Sequence, residues 1–257
     1  MGQVEADRLH AGLIGSFAEV LPRIEGGRVE EHEGYRVTVC PAIPVPGFNG
    51  VWVDGPDSPA ALDELRRAVQ EVDDAGVPCW VQVRAGATPA FEDAARRLGF
   101  RLEETIPGMV VRRDELVAGP PASVTRVRDE AGLLEALTIA AVGFEVPAEL
   151  FAPLYTLSVA ASPSVAIYIA EIDGEAVSTA TAWTRDGGVG IYNVATPPTH
   201  RGHGYGRAIT ERAIRDGFAA GADLAWLQAS SLGEPLYRAM GFRQVETYLL
   251  FGKEAPG

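Results

Sequence analysis

The run Pro197-Pro198-Thr199-His200-Arg201-Gly202-His203-Gly204-Tyr205-Gly206 constrains this chain more than any other stretch. Before it, Val189 to Thr196 alternates like a strand. After it, Ile209, Ala213, Ile214 and Phe218 keep helical spacing as far as Gly221. The paired prolines stop the strand, because proline has no N–H to give to a ladder. Arg201-x-x-Gly204-x-Gly206 then fills the turn into the helix. Glycines there reach φ values closed to other residues and let a ligand approach the backbone. The free N–H groups of the helix's first turn, together with its dipole, form an anion site suited to a pyrophosphate. Arg201 and Arg207 are candidates for charge-assisted contacts to phosphate.

The neighbouring sequence says which kind of glycine turn this is. Val165 to Ile172 and Ala176 to Thr184 are strands joined by Asp173-Gly174, and Asp186-Gly187-Gly188 turns again into Val189 to Thr196. The strand before the glycines thus ends a meander. No acidic residue follows at the distance a Rossmann βαβ unit requires, and the Gly-Lys-Ser/Thr of a P-loop is absent. Val124 to Val127 reads as a strand, and Leu133 to Phe144 and Glu149 to Ala161 read as helices. Leu224 to Ala229 is a strand, Glu234 to Met240 a short helix capped by Gly241, and Phe242 to Phe251 a closing strand.

A faint copy of this ending lies upstream. Cys79-Trp80-Val81-Gln82-Val83 parallels Ala225-Trp226-Leu227-Gln228-Ala229, and Leu98-Gly99-Phe100-Arg101 parallels Met240-Gly241-Phe242-Arg243. A helix over Leu62 to Val72 starts after Ser58-Pro59 and stops at Gly76. This is the pattern of an internal duplication. Gly119-Pro120-Pro121 marks a linker. The expected organisation is therefore an N-terminal domain over 1–117, a linker over 118–123 and a C-terminal domain over 124–257, each of ordinary size.

Composition narrows the function. A net charge of −13 argues against nucleic acid as a partner, since that needs a basic face; cationic partners such as amines suit an acidic surface better. No apolar run is long enough to span a membrane, and the acidic start Met1-Gly2-Gln3-Val4-Glu5 does not read as a signal peptide, so a cytoplasmic location is expected. Cys40 and Cys79 lie in apolar strand-like runs and read as core residues. The four histidines show no metal-ligand spacing, and no metal is expected.

Arg201, Gly204 and Gly206, with the lead-in Pro198 and the distal Leu236-Tyr237-Arg238-Ala239-Met240-Gly241-Phe242, resemble the two hallmarks of the GNAT (GCN5-related N-acetyltransferase) superfamily over roughly residues 123–251. The resemblance implies an α/β (α+β) tandem GNAT-like fold. Its mixed, mostly antiparallel sheet would carry flanking helices and splay open at Ile191 to Thr196. It implies acetyl-CoA as co-substrate and an amine as acceptor. Val194, Ala195 and Thr196 would bind the pantetheine arm through the backbone. Gly202, His203, Gly204, Tyr205, Gly206 and Arg207, with Arg201, would hold the pyrophosphate. Ser230 stands where many relatives have asparagine. Tyr237 would protonate the departing thiolate; a phenol has a pKa near 10 and a thiol about 8.5, so the proton need only be shared as charge develops on sulfur. An oxyanion would meet the backbone N–H near Val194.

Two expectations stay open. Where some relatives carry a basic glutamate, this chain has Gly190. Tyr192, Asn193, Glu171 and Asp186 are the remaining groups that could position a water. The N-terminal copy has no Arg-x-x-Gly-x-Gly, and its counterpart of Tyr237 is Ala95, so it reads as a degenerate half. The resemblance fits a monomer or a homodimer. Two other functions share the motif: a non-catalytic acyl-CoA-binding sensor, and a tandem acetyltransferase similar to mycothiol synthase.

Overall fold

The computed structural model describes residues 2–119 and 122–253; Pro120 and Pro121 of the expected linker lie outside the described residues. The chain is a mixed α/β protein whose mostly antiparallel strands carry flanking helices. It forms two compact units, Met1–Gly108 with Gln244–Gly257, and Met109–Arg243.

The first unit opens with α1 (Gly2–Val20), then β1 (Arg28–His32), β2 (Tyr35–Val39) and β3 (Gly50–Val53), an antiparallel meander. Next come α2 (Ala61–Asp73), β4 (Trp80–Arg84), which pairs parallel to β3, α3 (Pro89–Arg97) and β5 (Arg101–Arg112). Helix α2 buries Leu65, Val69 and Val72, three of the four residues its spacing marks, together with Ala68, against Val37, Val51 and Val81, while Leu62 is partly buried. Neither α1 nor β1 had a signal in the sequence reading.

The rest of the chain follows a similar order after one added strand. It has β6 (Ser123–Arg126), α4 (Glu130–Phe144), a one-turn α5 (Leu157–Ala160), then β7 (Val165–Ile172), β8 (Glu175–Arg185) and β9 (Gly188–Ala195). After the glycine turn come α6 (Tyr205–Ala219), β10 (Leu224–Gln228), α7 (Glu234–Ala239) and β11 (Arg243–Gly252). Both hairpin turns of the meander have consecutive positive φ values, 52° and 82° at Asp173-Gly174 and 47° and 73° at Asp186-Gly187. That is the geometry whose twist matches the flanking strands. Ile209, Ala213, Ile214 and Phe218 of α6 pack on Val189 and Ile191 of β9 and on Ala225 and Leu227 of β10.

Two expectations are corrected. The helix read over Glu149 to Ala161 is broken into 3-10 turns at Ala148–Leu150 and Ala152–Leu154, followed by α5. Pro153 removes a donor and disfavours helix at the residue before it, and Thr156 restarts the chain as N-cap of α5 by accepting from Val159 N–H. The domain limits also differ from 1–117 and 124–257. Strand β11 pairs antiparallel with β4, Tyr248 opposite Arg84 and Gly252 opposite Trp80, and buries Phe251 in the first unit's core. Met109 and Val111 of β5 lie in the second unit's core. Each unit is thus closed by the strand that chain order assigns to the other half. No helix among the described residues is long and apolar enough to cross a membrane.

Candidate functional site

Three pieces of the second unit surround one cavity of about 690 Å³: the end of β9 with the glycine turn, the C-terminal end of α4, and the segment leading into α7. The parallel pairing of β10 with β9 runs from Leu224 opposite Gly188 to Trp226 opposite Gly190. Ile191 to Ala195 of β9 lie beyond it. The β8 side carries a bulge in the same stretch. Thr181 faces Tyr192 and Thr179 faces Ala195, so Asn193 and Val194 together stand opposite Ala180. Asn193 takes φ 51°. A bulge of this kind turns the strand and re-aims its backbone groups, and Val194, Ala195 and Thr196 line the cavity.

Gly202 and Gly204 have φ values of 81° and 86°, conformations that an L side chain would strain. Gly204 is the N-cap of α6 without a side-chain cap. The helix's first backbone bond runs from Ala208 N–H to Gly204 O at 3.0 Å. The N–H groups of Tyr205, Gly206 and Arg207 precede that bond and lack an intrahelical acceptor, as the first turn of any helix does. Gly202, Gly204, Tyr205, Gly206 and Arg207 all line the cavity. The arrangement can receive a multiply charged anion at the α6 end and an extended apolar arm along β9.

Tyr237 lies on α7 and closes the inner wall. It is 8% exposed, its ring meets Phe242 edge-on at 5.7 Å, and burial pushes its hydroxyl up to about 12. At neutral pH it is a proton donor. Gly233 fits beneath it: a Cβ there would stand 2.9 Å from Tyr237 Cε2. Ser230 also lines the cavity, and its Oγ accepts from Gly233 N–H at 3.2 Å, fixing the turn into α7.

The fold brings together Val194, Ala195, Thr196, Arg201, Gly202, Gly204, Tyr205, Gly206, Arg207, Ser230 and Tyr237. His203 does not join them. Its ring stacks on Tyr205 at 5.9 Å, and its Nδ1 lies 2.9 Å from Arg201 O. The two arginines reach the cavity with their guanidinium groups already engaged. Arg201 donates to Thr196 O at 3.0 Å and Gly143 O at 2.8 Å and pairs with Glu145 at 3.5 Å. Arg207 donates to Val117 O at 2.8 Å and Ala118 O at 3.2 Å. Sequence reasoning missed Gly143, Phe144, Glu145, Leu232 and Leu236, all lining residues. Phe144 (41% exposed) and Leu232 (71%) are among the chain's large apolar side chains left open to solvent, a signal that sequence alone does not carry.

A family model described as an acetyltransferase (GNAT) domain matches residues 163–244. The whole chain is similar to a GCN5-related N-acetyltransferase from Kribbella flavida, with a TM-score of 0.76 at 19% identity over 98% of this chain and 96% of that one. The fold is that of the GCN5-related N-acetyltransferases. A second such protein, from Sphaerobacter thermophilus, gives a TM-score of 0.64 at 17% identity, covering 98% of this chain and 92% of that chain. A tandem GNAT protein from the clavulanic acid biosynthesis pathway gives 0.59 at 13% identity, covering 87% and 79%. No curated protein matches the sequence.

Within this GNAT fold, the strand position Gly190 has no room for a side chain. A Cβ there would stand 2.5 Å from Tyr192 Cε2 and 2.7 Å from Trp226 Nε1. The indole N–H of Trp226 donates to Tyr192 Oη at 3.3 Å, and Trp183 packs on Tyr192 at 4.4 Å. An aromatic cluster fills the space that a strand glutamate would need.

Proposed function

We propose that the second unit is an acetyl-CoA-dependent N-acetyltransferase acting on a primary amine, probed best with small molecules. The observation that carries this reading is a shared wall: the uncapped first turn of α6, the β9 backbone beyond its pairing with β10, and a protonated, buried Tyr237 all line one 690 Å³ cavity. A pocket of this size suits a cofactor-sized ligand. The N–H groups of residues 202–207 would receive the pyrophosphate. Val194 and Thr196 would pair with the pantetheine arm as an added strand pairs with a sheet edge. Phe144 and Leu232 would cover the arm's apolar faces.

Bound there, acetyl-CoA supplies an activated thioester. The chain's own contribution is threefold. Backbone donors fix the charged end. The bulge at Asn193-Val194 would present a backbone N–H to the thioester carbonyl oxygen, where negative charge would build. Tyr237 keeps its proton well above neutral pH and would share it with the thioester sulfur as the C–S bond weakens. The first unit, whose β3-α2-β4-α3-β5 order echoes β9-α6-β10-α7-β11 but with Asp54 to Ala60 in place of the glycine turn, reads as a degenerate copy, and the cavity beside Ser58 and Pro59 is only about 130 Å³.

The test is free-thiol release from acetyl-CoA with a panel of amines, run beside Tyr237→Phe. The expected result is turnover on part of the panel, lost by at least about tenfold in the variant while CoA binding persists. Binding without turnover on any amine, and indifference to Tyr237→Phe, would instead support the acyl-CoA sensor.

A further inference from the structure

We infer that the Arg207 side chain is a positioning residue for Tyr237 rather than a ligand for phosphate. This rests on the acetyltransferase reading and refines it. The guanidinium makes contacts in two directions. From the first turn of α6 it donates to Val117 O at 2.8 Å and Ala118 O at 3.2 Å, and to Ala239 O at 3.4 Å. Ala239 is the last residue of α7, the six-residue helix that carries Tyr237.

Segment 117–119 is fastened to the same two helices by its own backbone. Val117 N–H donates to Met240 O at 3.0 Å, and Gly119 N–H donates to Glu211 Oε2 on α6 at 2.7 Å. A helix of this length has carbonyls at its C-terminal end with no partner inside it. Arg207 and Val117 supply partners for the carbonyls of Ala239 and Met240. The guanidinium thus joins the anion-binding turn of α6 to the end of the helix that aims the phenol.

Gly119 packs on the clamp. A Cβ there would stand 2.5 Å from Arg207 Nε and 2.8 Å from its Cδ. The Arg207 Nε is buried without a hydrogen-bond partner among the described residues, as expected for a group held by packing under this glycine. Three carbonyls diverging from one point need the planar fork of arginine. A lysine ammonium matches a phosphate as a point charge but cannot span that set.

The experiment compares wild type, Arg207→Lys and Gly119→Ala. It reads CoA affinity by calorimetry at two salt concentrations, kcat and KM for acetyl-CoA, and amide exchange at Val117, Tyr237 and Met240 in the free protein. The clamp predicts that Arg207→Lys binds CoA within about threefold of wild type and loses at least about tenfold in kcat, since small misplacements of a reacting group are costly. It also predicts exchange at Val117 and Met240 faster by about tenfold or more. Gly119→Ala, which displaces the guanidinium, reproduces both effects.

Full activity and unchanged exchange in Arg207→Lys would overturn the inference. So would a loss confined to CoA affinity with a shallower salt dependence, the mark of a phosphate ligand. If wild type fails to bind CoA, the acetyltransferase reading falls, and the exchange arm still decides whether Arg207 holds α7.

Discussion

Gly206→Val separates the binding role of the glycine turn from its structural role. Unlike Gly202 and Gly204, Gly206 has an ordinary φ. A Cβ there meets only Thr196 Oγ1 at 3.4 Å and Leu236 Cδ2 at 3.7 Å, both ordinary contacts. Valine in a helix is less costly than glycine by a few tenths of a kcal/mol, so unfolding stability should change by less than about 1 kcal/mol. The added methyl groups enter the cavity beside the N–H groups that would hold the anion. Loss of a single hydrogen bond to a charged group costs about 1.5–3 kcal/mol, which is roughly a 10- to 150-fold rise in Kd for CoA. Calorimetric titration with CoA and thermal unfolding of both proteins measure the two effects. An unchanged Kd would refute the placement of the pyrophosphate on this turn. A collapse of stability would refute the argument that the glycine is there for the ligand.

Three further outcomes follow from the packing. Gly190→Glu should destabilise the fold by about 1–3 kcal/mol without raising turnover, because Tyr192 and Trp226 already occupy the space; a gain in rate would refute this. A fragment of residues 124–257 should fail to unfold cooperatively, since it lacks Met109 and Val111, each 0% exposed and each worth about 1.5–3 kcal/mol, and leaves β11 without β4; a sharp melting transition would count against the strand exchange. Burial, aided by the charges of Arg84 and Arg36, depresses His10 from 6.5 to about 3. The unfolded chain therefore binds the extra proton, and stability should be full above pH 6.5 and fall by about 1.4 kcal/mol per unit toward pH 3. In urea titrations His10→Asn should flatten that slope by close to one proton.

What was legible in the sequence was what local chemistry decides. Asp-Gly pairs force the two hairpin turns, paired prolines end β9, and glycines with positive φ open the turn into α6; each acts within a few residues. The missed features are set over longer distances. The last strand ends in the apolar run Tyr248 to Phe251, which suits either unit, so its pairing with β4 leaves no trace in its own pattern. Arg201 and Arg207 illustrate the same limit. A guanidinium reaches several ångströms, and spacing cannot tell a phosphate from the carbonyls of Gly143 or Val117. In a helix, Gly143 reads only as a weakness.

Gly143 shows what such a weakness does. A Cβ there would stand 2.9 Å from Ala195 Cβ and 3.1 Å from Thr196 N, so α4 touches the end of β9 only because both residues are small. That contact brings Gly143 O within 2.8 Å of Arg201 Nη2. Arg201 in turn takes Thr196 O at 3.0 Å, and Thr196 Oγ1 lies 2.9 Å from Ser178 Oγ. The backbone at 194–196 is thereby held from the α4, β8 and turn sides, leaving the side away from β8 to the cavity. In the acetyltransferase proposed above, residues with no chemistry of their own would thus fix where an incoming thioester arm meets the strand, and Tyr237 would act on the geometry they set.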